Sequence, residues 1–215
     1  SLDRWLALGR QLGVPLAVEH FVELQRRYSE PQRFYHTADH VAACLRHFDA
    51  APIAALADGP TVEFALWLHD VIYDPKASNN EQRSADLARE WLLDCDADSG
   101  LAEQVSRLIM ATAHGSKDQS GEDASANWVV DIDLSILGCS AEQFARFGEQ
   151  IRQEYIHVPK ADYLAGRLSV LKSFQIEPEL YRTTWAQNRF EMAAKRNLRA
   201  EIKRLEESCI DANHI

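Results

Sequence analysis

The chain has 215 residues, 46% of them hydrophobic and 26% charged, and a formal net charge of -10. This size and balance predict one globular domain over 1–215, and the acidic excess disfavours a nucleic-acid duplex as partner. No apolar run is long enough to span a bilayer, and Cys44, Cys95, Cys139 and Cys209 show no C-x-x-C spacing and follow no signal peptide, which predicts reduced thiols and a cytoplasmic location.

In chain order, Leu2 to Leu12 and Leu16 to Tyr28 predict two amphipathic helices, with Pro15 suited to a first turn. Arg33-Phe34-Tyr35-His36-Thr37-Ala38-Asp39-His40 leads into a helix expected to reach Phe48, with Val41, Cys44, Leu45 and Phe48 as its apolar arc. His36 and His40, four residues apart along one edge of that arc, share a helix face and are expected to reach the same point. Gly59-Pro60 breaks the chain, and Thr61 can cap a helix extending to Asp74-Pro75. Within it, Ala65-Leu66-Trp67-Leu68-His69-Asp70-Val71-Ile72-Tyr73 is apolar on nearly every side yet carries two ionisable groups. Burying them is costly unless something compensates, and a divalent cation does so directly.

Ser78-Asn79-Asn80-Glu81 reads as a capping box opening a helix whose inward face carries Glu81 and Ser84; Glu81 either only caps or faces the site. A further helix from Leu101 ends near His114 and Gly115, and Ser116 to Asn127 reads as a loop. On a wheel at roughly 100° per residue, Trp128 to Leu137 places Asp133 inside the apolar arc and Asp131 in the polar gap, so Asp133 is expected to be the buried one. Three more helices complete an all-α chain: one through Phe144, Phe147, Ile151 and Tyr155, one from Tyr163 to Phe174, and a long one from about Glu179 to Glu207. Arg167 interrupts the apolar stripe Tyr163, Val170, Leu171 and Phe174, and needs either an internal carboxylate such as Glu191 or a bound phosphate.

Together, His40, His69, Asp70 and Asp133 form a mixed N/O set from three expected helices, suited to Zn, Mn, Fe, Co or Ni more than to Ca. The order H…HD…D on a helical chain resembles the HD superfamily of metal-dependent phosphohydrolases, and Tyr35-His36-x-x-x-His40 is similar to its cyclic-nucleotide phosphodiesterases. Arg33-x-Tyr35-His36, Leu68-His69-Asp70-Val71-x-Tyr73-Asp74, Asn80-Glu81-x-x-Ser84-Ala85, Asp133-Leu134-x-x-Leu137-Gly138, Gly166-Arg167 and Glu191-x-x-Ala194-x-x-Asn197-Leu198 resemble bacterial predicted metal-dependent HD phosphohydrolases nearly end to end.

The resemblance implies a helical HD-domain bundle with the His-Asp doublet on a central buried helix. It further implies a divalent metal (Zn, Mn, Fe, Co, Ni or Mg) held by His40, His69, Asp70 and Asp133. His36 takes the place of the phosphodiesterase histidine that protonates the leaving oxygen, although Thr37 stands where those enzymes have asparagine. The expected substrate is a small phosphoester or a nucleotide, with Glu81 and Arg167 as further catalytic candidates and Lys76 and Lys117 as phosphate-holding ones. The alternative from a different class is an HD-type domain that binds a nucleotide as a sensor without turning it over. The number of copies in the working protein is left open.

Overall fold

The computed structural model describes residues 1–113 and 123–212. Among them the secondary structure is helical with no strand, as the all-α expectation has it, and no helix is long and apolar enough to cross a membrane. The chain divides into two compact units, 1–133 and 134–215.

The first unit holds seven α-helices among its described residues: α1 (Leu2–Leu12), α2 (Val18–Arg27), α3 (Ala38–Ala50), α4 (Gly59–Leu68), α5 (Asn80–Asp94), α6 (Ser99–Met110) and α7 (Ala124–Asp133), with a short 3-10 helix, Pro52–Ala55, between α3 and α4. Gly13, at φ 70°, closes α1 in the left-handed conformation that glycine adopts without steric cost. α2 begins three residues after Pro15, which lies in the connection rather than in the helix. α4 is the centre of this unit: Thr61 to Leu68 are all buried, and α1, α3, α5, α6 and α7 pack around it. A helix apolar on all sides needs neighbours on all sides. Its one buried carboxylate, Glu63, accepts from Arg4 Nε at 2.7 Å and Trp67 Nε1 at 3.3 Å, while the same guanidinium binds Asp49. Arg4 thereby ties α1, α3 and α4 together.

α4 ends sooner than the apolar pattern predicts. It starts at Gly59, with Pro60 in its first turn, and stops at Leu68, so the His69-Asp70 doublet sits at its C-terminus instead of in its middle. Two distant side chains take over the main-chain groups freed there. Arg33 donates to the carbonyls of Asp70 and Val71 at 2.7 and 2.9 Å, and Ser84 Oγ bridges the N–H and C=O of Ile72.

Two other local readings change. No capping box forms at Ser78 to Glu81: Asn79 occupies the N-cap without a side-chain bond, while Asn80 accepts from the N–H of Asp74 and donates to its carbonyl. Helix α7 begins at Ala124, inside the stretch expected to be loop, because Asp123 Oδ1 accepts from the N–H groups of Ser125 and Ala126.

In the second unit, a 3-10 turn (Leu134–Gly138) leads to α8 (Ala141–Glu154), α9 (Lys160–Gln175) and a C-terminal helix (Met192–Ala212). The long helix expected from Glu179 is broken: Leu180 and Tyr181 are non-helical and their N–H groups donate to Glu191, and the chain passes through a turn and a π segment, Gln187–Glu191, before the regular helix. Gly138 lies so close to Phe190 that a Cβ there would stand 2.5 Å from the Phe190 Cβ, which explains a glycine at that position.

Candidate metal centre

Three helices of the first unit deliver four ligand atoms to one point. α3 carries His40 in its first turn, after Thr37 caps the helix by accepting from the N–H of Asp39. His69 is the C-cap of α4, with its N–H still bonded to the Ala65 carbonyl, and Asp70 follows it; Asp133 is the last residue of α7.

The resulting distances are short. His40 Nε2 and His69 Nε2 stand 3.0 Å apart. Asp133 Oδ1 is 3.1 Å from His40 Nε2 and 3.4 Å from His69 Nε2, while Asp70 Oδ2 is 3.6 and 3.1 Å from the same two atoms. In a tetrahedral site with ordinary zinc bond lengths, two N or O ligands are separated by about 3.3 Å. The set therefore has the spacing to hold a small divalent cation.

Protonation and field agree with that fit. His69 Nδ1 lies 3.0 Å from the Leu66 carbonyl, which can only accept, so Nδ1 carries the proton and Nε2 is left to face the cluster. Burial works against a charged His69, but Asp70 and Asp133 outweigh it and raise its pKa well above the usual value. Asp70 and Asp133 are likewise held well below the ordinary carboxylate range: burial opposes this, and His69 more than offsets it, aided by His36 at Asp70 and by His40 at Asp133. The C-terminal end of the α4 dipole adds negative potential, as a cation site requires.

Arg33 holds the frame. Its side chain is fully buried, donates to the carbonyls of His36, Asp70 and Val71, pairs with Glu30, and lies over the rings of Tyr28 and Tyr73. One planar guanidinium thus joins the segment before α3 to the segment after α4.

His36 precedes α3 and is not part of it, so helical spacing does not set its position. Its ring is half-buried, stacks on Tyr73 with centroids 4.2 Å apart, and lies 6.1 Å from the His40 ring. Among the two aspartates of α7, Asp131 is the fully buried one and Asp133 keeps a 14% exposed side chain, the reverse of the wheel expectation. It is nevertheless Asp133 that meets the histidines.

Glu81 lies half-buried in the first turn of α5, outside the set of converging ligand atoms, and Lys76 is exposed. Arg167 belongs to the second unit, where its guanidinium lies 5.0 Å from the Phe147 ring centroid, while Glu191 binds the Leu180 and Tyr181 N–H groups and Lys195. Val170, expected in the same stripe, is 40% exposed. His114 and Lys117 lie outside the described residues.

One residue beside the cluster carries no functional reading in the sequence. Cys44 Sγ, buried one turn beyond His40, groups with His40, His69 and Asp133 so that all four ligand atoms lie within 4.8 Å of one another. Its position four residues after a candidate ligand histidine was the signal available. Burial and then the charges of Asp133 and Asp70 push its thiol pKa well up. In comparisons with known proteins, no family model matches the chain, and no curated protein or solved structure does so.

Proposed function

We propose that the protein is a metal-dependent phosphohydrolase of the HD type, acting on a small phosphoester or a nucleotide. The observation that carries this reading is the convergence of His40 Nε2, His69 Nε2, Asp70 Oδ2 and Asp133 Oδ1 at 3.0–3.6 Å. The order of those residues is the one by which the chain resembles HD phosphohydrolases.

The four ligands would hold a divalent cation, Zn, Mn, Fe, Co, Ni or Mg. Such a cation supplies the charge that lets a water lose its proton near neutral pH and draws electron density from phosphoryl oxygens. His69 and Asp70, consecutive at the end of α4, fix one edge of the site, and Asp133 and His40 fix the opposite one. His36 stands beside these ligands on Tyr73, with Arg33 holding its carbonyl at 2.9 Å. From there it gives a proton to the leaving oxygen as the P–O bond breaks.

Metal analysis of the purified protein, coupled to a screen of nucleotides and phosphoesters, tests the proposal. Expected are one divalent ion per chain, turnover of at least one phosphoester class, loss of turnover on chelation and its return on adding metal. Stoichiometric metal with no turnover across the screen would favour a sensor instead.

A further inference from the structure

Tyr73 lies in the irregular segment between α4 and α5, yet hydrogen bonds hold its backbone on both sides. Ser84 Oγ takes the N–H and C=O of Ile72, the Asn80 amide takes those of Asp74, and Gln32 Nε2 donates to the Tyr73 carbonyl at 3.1 Å. Tyr73 is 8% exposed, and the buried Arg33 guanidinium lies 5.5 Å from its ring centroid. These contacts make the ring a fixed aromatic face. On it lies the His36 imidazole, with centroids 4.2 Å apart and planes 28° from parallel, while Tyr35 meets the same imidazole edge-on at 5.0 Å. His36 stands before α3, so no helix directs its side chain. The Arg33 bond to its carbonyl fixes the main chain and leaves the ring to turn about χ1 and χ2. Turning the imidazole would break the stack.

We propose that Tyr73 is a positioning residue for the proton donor: its ring fixes the plane of the His36 imidazole, so that a protonated ring nitrogen is aimed at the leaving oxygen beside the ligand set. This rests on the hydrolase reading. In the step concerned, a water adds its oxygen to phosphorus and releases a proton to solvent. The P–O bond breaks with its electron pair on the leaving oxygen, and the His36 proton passes to that oxygen, leaving a neutral imidazole that solvent reprotonates. Tyr73 exchanges neither proton nor electron. A general acid works only within hydrogen-bond reach of its acceptor, and a misplacement of about 1 Å costs roughly 100-fold. That cost falls on esters with poor leaving groups, so Tyr73 shapes which esters the site turns over.

The test compares Tyr73→Leu, which removes the ring, with Tyr73→Phe, which keeps it, each loaded with metal. Tyr73→Leu is expected to lose roughly 10–100-fold in turnover of an alkyl phosphoester and far less on a nitrophenyl ester. Tyr73→Phe is expected to recover most of the alkyl-ester loss. Added to His36→Ala, Tyr73→Leu should cost nothing further on the alkyl ester, because it acts through that imidazole. Proton NMR of the full chain gives a readout independent of turnover, with the His36 ring resonances identified by their absence in His36→Ala. The Tyr73 ring current should shift them upfield in the unmodified chain and in Tyr73→Phe, and the shift should vanish in Tyr73→Leu.

Equal losses on both esters in Tyr73→Leu, no recovery in Tyr73→Phe, or a further loss in the double variant would each overturn the proposal and leave the hydrolase standing. So would His36 resonances without an upfield shift in the unmodified chain, an outcome that needs no Tyr73 variant to fold. An unmodified, metal-loaded chain that turns over no phosphoester would overturn both the proposal and the functional reading.

Discussion

The Nε2 atoms of His40 and His69 face each other at 3.0 Å, and the Nδ1 of His69 is committed to the Leu66 carbonyl at the same distance. Two imidazole nitrogens this close repel unless a proton or a cation stands between or beside them. Asp70 and Asp133 favour either positive species, so protons and metal compete for the site.

Stability should therefore depend on pH differently with and without metal. In the stripped protein the raised pKa of His69 contributes stability that is fully present below its unfolded value of 6.5 and is lost as pH rises through the folded one. The depressed carboxylates contribute above their unfolded value of 3.8, and that contribution is lost as pH falls through their folded values. As pH rises from 6.5 through the raised value of His69 the stripped chain should lose stability, while metal affinity rises because less His69 proton must be displaced. Thermal melts across that range, with chelator and with zinc, check both trends. A stripped chain that grows more stable toward alkaline pH contradicts the first.

Asp133 and Asp131 should separate ligand from scaffold. Asp133→Asn is expected to keep the fold and to lose most of its metal, since Asp133 Oδ1 is within 3.4 Å of both histidine nitrogens. Asp131→Asn alters a fully buried carboxylate and should cost about 1–3 kcal/mol of stability while metal stoichiometry stays near wild type. Metal content and urea unfolding of the two variants decide it. Metal loss in Asp131→Asn alone would reverse the assignment.

Arg33 should matter to the metal without touching it. Arg33→Lys keeps a charge but cannot reach the carbonyls of His36, Asp70 and Val71 together, which leaves buried acceptors unsatisfied. The variant should lose about 1–3 kcal/mol of stability for each buried carbonyl left without a donor. Its metal affinity should fall roughly 10–100-fold. Equilibrium unfolding and metal titration below the melting temperature measure the two effects separately; an unchanged metal affinity would show that Arg33 serves the fold alone.

The same arginine explains where the sequence was legible and where it was not. The bounds of α1 follow from local signals, an apolar period and a glycine after it, and the structure has that helix at Leu2–Leu12. The end of α4 does not follow, because Val71-Ile72-Tyr73 continues the apolar pattern, while the bonds that turn the chain come from Arg33 and Ser84, 38 and 12 residues away in sequence. A helical wheel likewise misassigned the buried aspartate of α7: α3, α4 and α6 surround this helix, and Asp133 is its final residue. The order of the histidines and aspartates is readable as a pattern, whereas Cys44 reads only as part of an apolar arc, because a buried thiol beside a polar cluster looks in sequence like any other core thiol.

His36 is the residue on which chemistry, as opposed to metal binding, depends. Its ring stacks on Tyr73 and its charge helps hold Asp70 ionised, so it borders the ligand set without being grouped among the converging ligand atoms. If it protonates the leaving oxygen, His36→Ala should retain metal and lose roughly two to four orders of magnitude in turnover. The loss should be large for an alkyl phosphoester, whose leaving oxygen needs the proton, and small for a nitrophenyl ester, whose leaving group departs as the anion. His40→Ala should behave otherwise, since removing a ligand lowers metal affinity and slows both esters alike. Bound metal and turnover of the two esters, measured for both variants at saturating metal, separate the roles: an equal loss on both esters in His36→Ala would remove it as the acid, and metal loss in that variant would make it a ligand.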